Sequence, residues 1–408
     1  MGELTVTCDP EDVGLDSARL RRIDAHFAPY ADDGRLPGWL VLVSRRGEIA
    51  HLSAYGWRDV ASGAPVETDT LFRIYSMTKP ITSVAVMTLY EEGLLQLTDP
   101  VSHYLPAFAG LRVYEKGPAL SPVTRPAAEP VRVWHLLTHT AGLVYGFQRV
   151  SVVDELYRRA GFDRGAPRGV SLAEAVDRWA ELPLAFEPGT RWNYSVATDV
   201  LGRLVEVVSG RPLDAFLRER ILGPLGMHDT GFWIDEERAG RMASLYSADH
   251  RRRAVPMDTR GAELRRPSFL SGGGGLISTA GDYHRFTRML LRGGELDGVR
   301  LLGPRTVAYM TRNHLPGGAD LEEFGQAGFA EVPYAGSGFG LGFAVVRDAV
   351  RLRTATSEGE FGWGGAASTA FWVDPAEELT VVFMTQLLPS DTHPIRSRLR
   401  QLVYQALL

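Results

Sequence analysis

The chain has 408 residues, 45% of them hydrophobic, and its 44 basic and 49 acidic side chains leave a formal charge of −5. At roughly 100 to 200 residues per domain this is material for two to four folding units with sizeable cores, which excludes a disordered chain. With no block of five like charges and a single cysteine, Cys8, it offers no phosphate-tracking surface for nucleic acid, no internal disulfide framework and no Cys-rich zinc or iron–sulfur site.

The segment Met1–Pro10 lacks the basic start and apolar core of a secretory signal. No stretch approaches the roughly 18 continuous apolar residues that would span a bilayer. A soluble, cytoplasmic protein without a membrane partner is expected. Helical apolar spacing runs from Leu15 to Ala28, and Trp39–Val43 is a short β-prone run. The turn signal Arg45-Arg46-Gly47 leads into a second strand from about Glu48 to Tyr55, making an antiparallel hairpin. A long helix follows from about Ser76 to Glu92 and stops at Gly93, placed for a left-handed cap.

From about residue 106 to 270 the pattern is one of helices broken by Pro and Gly clusters, with few strand-like runs. Beyond Gly272-Gly273-Gly274-Gly275 a helix is expected over Ala280–Leu291. Strands are then expected over Gly340–Val346, Ser368–Val373 and Leu379–Met384, and an amphipathic helix over His393–Ala406. The predicted fold is therefore α/β of the α+β type, an antiparallel sheet flanked by helices and built from both ends of the chain. Residues 1–105 and 275–408 would form that unit, with a mostly helical domain, 106–274, inserted.

Ser76-Met77-Thr78-Lys79 opens the long helix, where a spacing of three puts hydroxyl and ammonium on one face. Free serine is a poor nucleophile, and Lys79 can supply a base or a positive charge once burial makes its proton labile. The helix N-terminus adds positive potential, and Pro80 falls in the first turn, where a missing N–H costs nothing. Taken alone, a Ser-x-x-Lys pair favours the plainer reading of a capping serine and a solvated lysine, since two common residues three apart occur by chance in most chains of this length.

Four ordered segments decide between these readings. They are Leu71–Lys79, Leu136-Leu137-Thr138-His139-Thr140-Ala141-Gly142-Leu143, Pro188-Gly189-Thr190-Arg191-Trp192-Asn193-Tyr194-Ser195 and Gly274–Asp282. Together they resemble the serine β-lactamase and penicillin-binding-protein superfamily, in its class C-like branch, over about residues 15 to 400. The resemblance implies a β-lactamase/transpeptidase-like fold, an acyl-enzyme on Ser76, and Tyr194 and Lys79 sharing the proton transfer. A phenol has an ordinary pKa near roughly 10, so a basic Tyr194 requires a nearby cation.

Two departures matter. The branch's Tyr-x-Asn motif has Val196 at its third position here, and Trp363-Gly364-Gly365 stands where β-lactamases carry Lys-Thr-Gly. The latter is similar to the family VIII carboxylesterases. By that resemblance the backbone N–H groups of Ser76 and Ala366 form the oxyanion hole, while Trp363, Gly364, Gly365, Tyr75 and Tyr145 meet substrate. The two glycines would let substrate approach the strand. Phe147, Trp192, Trp233 and Phe361 are further candidate pocket walls.

No serine is flanked as Gly-x-Ser-x-Gly, so the α/β-hydrolase elbow is absent. His135 and His139, four apart, lack the Glu of a zinc-protease motif and read as structural, so no metal and no cofactor are expected. The run Gly272–Gly275 has no following Lys-Ser/Thr and reads as tight packing, not a phosphate loop. The expected function is a serine carboxylesterase acting on a small-molecule ester. An acyltransferase, a β-lactamase or D-amino-acid peptidase, and a non-enzymatic penicillin-recognising protein are the alternatives. Pocket-forming loops are expected around residues 108–130, 145–170 and 230–270.

Overall fold

A computed structural model describes residues 4–163, 165–259, 261–326 and 328–408. Met1–Glu3 of the N-terminal segment, and Arg164 and Arg260 of the expected pocket loops, lie outside the described residues. Eight strands form one antiparallel sheet: β1 (Gly38–Arg45), β2 (Glu48–Asp59), β3 (Ala64–Pro65), β4 (Ser337–Phe339), β5 (Ala344–Val346), β6 (Phe361–Gly364), β7 (Ala370–Asp374) and β8 (Leu379–Met384). Their order is β4-β5-β6-β7-β8-β1-β2-β3, so the N-terminal hairpin and the C-terminal strands meet where β1 pairs with β8, Leu40 opposite Met384 and Leu42 opposite Val382. This is the antiparallel α/β sheet from both chain ends that the sequence predicts.

Every residue of β1 is buried, because both faces are covered. Trp39, Val41 and Val43 share a core with Leu20, Ile23 and Phe27 of helix α1 (Ser17–Asp32) and with Leu399 and Val403 near the C-terminus. Leu40 and Leu42 belong to the larger core on the other side. Helix α1 starts two residues later than its pattern, since the Asp16 carboxylate caps it by accepting the Arg19 N–H at 2.9 Å.

Helix α2 (Thr78–Glu91) is buried on all sides from Thr78 to Leu89 and packs against α3 (Ala197–Ser209). Such a helix has no polar face, so its apolar pattern alone does not show which side meets the core. Helix α4 (Ala280–Leu291) lies on β1, β7 and β8, and α5 (Ile395–Tyr404) closes the chain against α1. Among the described residues no helix is long and apolar enough to cross a membrane.

The expected strand Gly340–Val346 is instead a hairpin, with β4 and β5 joined by the turn 340–343. Gly342 there has φ +94°, and a Cβ on it would overlap the Ser83 side chain of α2. The expected strand Ser368–Val373 begins only at Ala370, because residues 365–369 form a tight loop in which Ser368 takes φ +70°. The middle of the chain also holds short hairpins, Arg112–Lys116 with Val123–Pro126 and Tyr246–Ala248 with Ala254–Pro256.

Candidate active site

Ser76 sits in a 3₁₀ turn, Tyr75–Met77, that runs into α2 at Thr78, not in the first α-turn that the sequence pattern gives. A 3₁₀ turn eclipses residues three apart, so Ser76 and Lys79 still face each other. Tyr75 has φ +43°, a sparsely populated conformation for a residue with a Cβ. Tertiary bonds hold the turn: Ile74 N–H donates to Leu276 C=O at 3.0 Å, Leu276 N–H to Thr78 Oγ1 at 3.1 Å, and Tyr283 OH to Met77 C=O at 2.9 Å.

Two polar groups converge on Ser76 Oγ. Tyr194 OH donates to it at 2.6 Å, and Lys79 Nζ lies 3.2 Å away while donating to Gly273 C=O at 2.6 Å. Lys79 Nζ also stands 4.6 Å from the centre of the Tyr194 ring and 5.3 Å from that of Tyr145. Tyr194 is delivered by the segment preceding α3, anchored through Asn193 N–H to His139 C=O at 2.9 Å and Asn193 Nδ2 to Leu143 C=O at 3.2 Å.

The two histidines belong to this scaffold. His135 Nδ1 accepts the Arg132 N–H at 3.0 Å, and His139 Nδ1 meets Ser195 Oγ at 3.2 Å. Burial lowers the His135 pKa to about 4 and pushes His139 well down, so both are neutral at physiological pH.

Burial likewise lowers the Lys79 pKa to about 8, against the opposing pull of the Asp199 and Glu331 carboxylates. Tyr194 is pushed far up by burial and then by Glu331, with the Ser76 contact and the nearby Trp363 indole working the other way. That indole is within electrostatic reach of the phenol, but its N–H makes no hydrogen bond of acceptable geometry among the described residues. The resting site thus pairs a neutral phenol with a lysine that titrates near neutrality.

Asp199, on the first turn of α3, is a site residue that the sequence reading missed. Its Oδ1 accepts Ser271 Oγ–H at 2.6 Å and the Gly273 N–H at 2.9 Å, which fixes the carbonyl that holds Lys79. A Cβ on Gly273 would stand 2.6 Å from Asp199 Oδ2, so the glycine run does serve close packing. The available signal was an acid among apolar residues, five positions after Tyr194.

On the opposite wall, β6 brings the Trp363 ring to 5.4 Å from that of Tyr194, and Tyr145 approaches Tyr194 at 5.2 Å. Phe147 stacks on Tyr145 at 4.8 Å, and the fully buried Trp192 lies 6.4 Å behind Tyr194. Phe361 packs instead on Phe343, and Trp233 on Arg266. No ring contact joins Tyr75 to the aromatic group among the described residues. Val196 is buried at the N-cap of α3.

Gly364 and Gly365 are also glycines that internal packing requires. A Cβ on Gly364 would overlap the Arg396 guanidinium, and one on Gly365 would meet Ile74 C=O and Thr369 Oγ1. Gly365 therefore packs directly on the backbone leading to Ser76. Among the described residues, the Ser76 and Ala366 N–H groups have no hydrogen-bond acceptor.

The sequence pattern of the Beta-lactamase family matches residues 23–405, nearly the entire chain that builds this site. The chain belongs to the beta-lactamase family. Among family relatives it is 39% identical over 370 residues to an uncharacterized protein of Mycobacterium tuberculosis, covering 90% of this chain and 89% of that one. It is 34% identical over 422 residues to the esterase EstB of Burkholderia gladioli, covering 97% and 98%. The solved structure of EstCE1, a hydrolase with promiscuous acyltransferase activity, superposes with a TM-score of 0.79 at 27% identity, covering 97% and 99%.

Proposed function

We propose that this beta-lactamase-family chain is a serine carboxylesterase of the family VIII type, working through an acyl-enzyme on Ser76. The observation that carries the reading is the buried convergence of Tyr194 OH and Lys79 Nζ on Ser76 Oγ, at 2.6 and 3.2 Å. The full-length similarity to an esterase supports the ester as substrate.

With its pKa near 8, Lys79 is the resting base and takes the Ser76 proton as Oγ attacks the ester carbonyl carbon. The oxygen that becomes anionic is held by the Ser76 and Ala366 N–H groups. Tyr194, kept neutral by burial, gives its proton to the departing alkoxide as the C–O bond breaks, and the adjacent Lys79 ammonium restores it. Water then attacks the acyl-Ser76 carbonyl by the reverse proton path.

Trp363 in place of a cation, and Val196 in place of an amide, leave a site fitted to an uncharged ester beside aromatic surfaces. A phosphonate ester is expected to label the tryptic peptide containing Ser76, and Ser76→Ala to lower kcat by at least about a thousandfold. Labelling of another serine would overturn the reading. Transfer of the acyl group to an added alcohol is a second reading, favoured by the acyltransferase activity of EstCE1. Product analysis with excess alcohol separates the two.

A further inference from the structure

The loop after β6, from Gly365 to Thr369, carries the Ala366 N–H. It closes on itself through Gly365 N–H to Thr369 C=O at 2.9 Å and Ser368 N–H to Gly365 C=O at 3.0 Å. Its outer side is met by Arg396, in the first turn of α5. Arg396 Nη2 donates to Gly365 C=O at 2.9 Å and to Thr369 C=O at 3.1 Å, the two carbonyls that bracket the loop.

The same guanidinium is tied to Glu331, which lies in the segment preceding β4. Nη1 donates to Glu331 C=O at 2.7 Å, and Nη2 lies 2.6 Å from Glu331 Oε2. That oxygen also accepts Ser390 Oγ–H at 2.9 Å. The Glu331 side chain is 1% exposed and that of Arg396 18%. Gly364 leaves the space under β6 that the guanidinium fills.

Desolvating two charges offsets most of their attraction, so a buried pair of this kind is a poor stabiliser, and fixing a geometry is the better account of it. Only the planar, forked guanidinium can serve acceptors in several fixed directions at once. We propose that Arg396, held by Glu331, is a positioning residue that sets the Ala366 N–H where the oxyanion forms. The proposal rests on reading Ala366 as an oxyanion donor. The Glu331 carboxylate also raises the pKa of both Lys79 and Tyr194 electrostatically.

Arg396→Lys tests it. The ammonium keeps the charge opposite Glu331 but cannot span the four acceptors. Removing one oxyanion donor outright costs about 100- to 1000-fold in kcat, so displacing one should cost about 10- to 100-fold. For a short aryl ester, kcat is expected to fall by that factor while KM changes less than about threefold. Affinity for phenylboronic acid, whose tetrahedral serine adduct places an oxygen in the oxyanion hole, should fall in parallel with kcat/KM. The midpoint of the pH–rate profile should stay in place, and amide exchange of residues 365–370 should quicken at least about tenfold.

Wild-type kcat with unchanged exchange would overturn the proposal, as would a loss of activity with boronate affinity intact. Should Arg396→Lys not fold, Arg396→Ala with added guanidinium ion reads the same property. Joint recovery of kcat and boronate affinity supports the clamp, and no recovery overturns it. Ser76→Ala, run alongside, separates the two levels. If it stays active the nucleophile reading fails, whereas an inactive Ser76→Ala beside a fully active Arg396→Lys sinks the clamp alone.

Discussion

The Asp199 carboxylate accepts the Gly273 N–H at 2.9 Å, and the carbonyl of that glycine accepts Lys79 Nζ at 2.6 Å, so a buried acid on α3 fixes the hydrogen-bond partner of Lys79. Asp199 also holds the Lys79 pKa up electrostatically. Asp199→Asn keeps an acceptor for Gly273 but removes the charge, so the Lys79 pKa should fall and the midpoint of the pH–rate profile move to lower pH. The chain has only two lysines, Lys79 and Lys116, so ¹³Cε labelling resolves the titration directly. A midpoint that moves up or stays fixed would contradict the electrostatic coupling.

In the wild-type protein, kcat/KM for a neutral ester is expected to rise with pH through about 8. The sign follows from the base: Lys79 is depressed from 10.5 to about 8, its ammonium cannot accept a proton, and the amine population grows as pH climbs through that value. A profile flat from pH 6.5 to 9.5 would remove Lys79 from the resting-base role.

Tyr194→Phe deletes one hydroxyl with little change of volume in a packed aromatic group. It should fold with a Tm within a few degrees of wild type and lose nearly all activity. Lys79→Ala should be similarly inactive, and the double variant scarcely worse than either, since groups acting as one unit are strongly non-additive. Retention of a tenth of wild-type kcat/KM in Tyr194→Phe would take the tyrosine out of the proton path.

Gly273→Ala places a methyl 2.6 Å from Asp199 Oδ2, against a buried carboxylate whose Oδ1 is held by the Ser271 hydroxyl and the Gly273 N–H. Overpacking of this kind costs about 1–3 kcal/mol. Urea unfolding should show a lower midpoint with unchanged slope, and kcat should fall because the Lys79 acceptor moves. A variant as stable and as active as wild type would show that the Asp199–Gly273 contact is slack.

Activated aryl esters should be cleaved efficiently and penicillins weakly or not at all. By the motif resemblance, Val196 and Trp363 replace the asparagine and the lysine of β-lactamases, and a neutral hydrogen bond is worth about 0.5–1.5 kcal/mol and one to a charged group about 1.5–3 kcal/mol. Losing one of each lowers lactam turnover by about thirtyfold or more. A kcat/KM for a penicillin or cephalosporin ring equal to that for a short aryl ester would replace the carboxylesterase reading with a lactamase one.

Features governed by near neighbours were legible in the sequence. The β1–β2 hairpin, the strand Leu379–Met384 and helix α4 sit where period and turn residues put them, because those signals act over a few residues. The Ser76–Lys79 pairing also survives, since any tight right-handed turn brings residues three apart together. Where glycines are concerned the pattern misled: 340–343 reads as β-prone, yet it turns because the backbone must pass closely over α2.

The amino-acid sequence by itself thus determined the sheet-forming segments, the serine–lysine pair and, through ordered motifs, the family. Only the tertiary structure decided that Tyr194, 118 residues away, meets Ser76, that Asp199 steadies Gly273, and that Arg396 and Glu331 fill the space below Gly364 and grip the next loop. The physical reason is that these contacts join segments with no local signal for one another. The lowered pKa of Lys79 is likewise a property of burial, which exists only once the chain has closed around it.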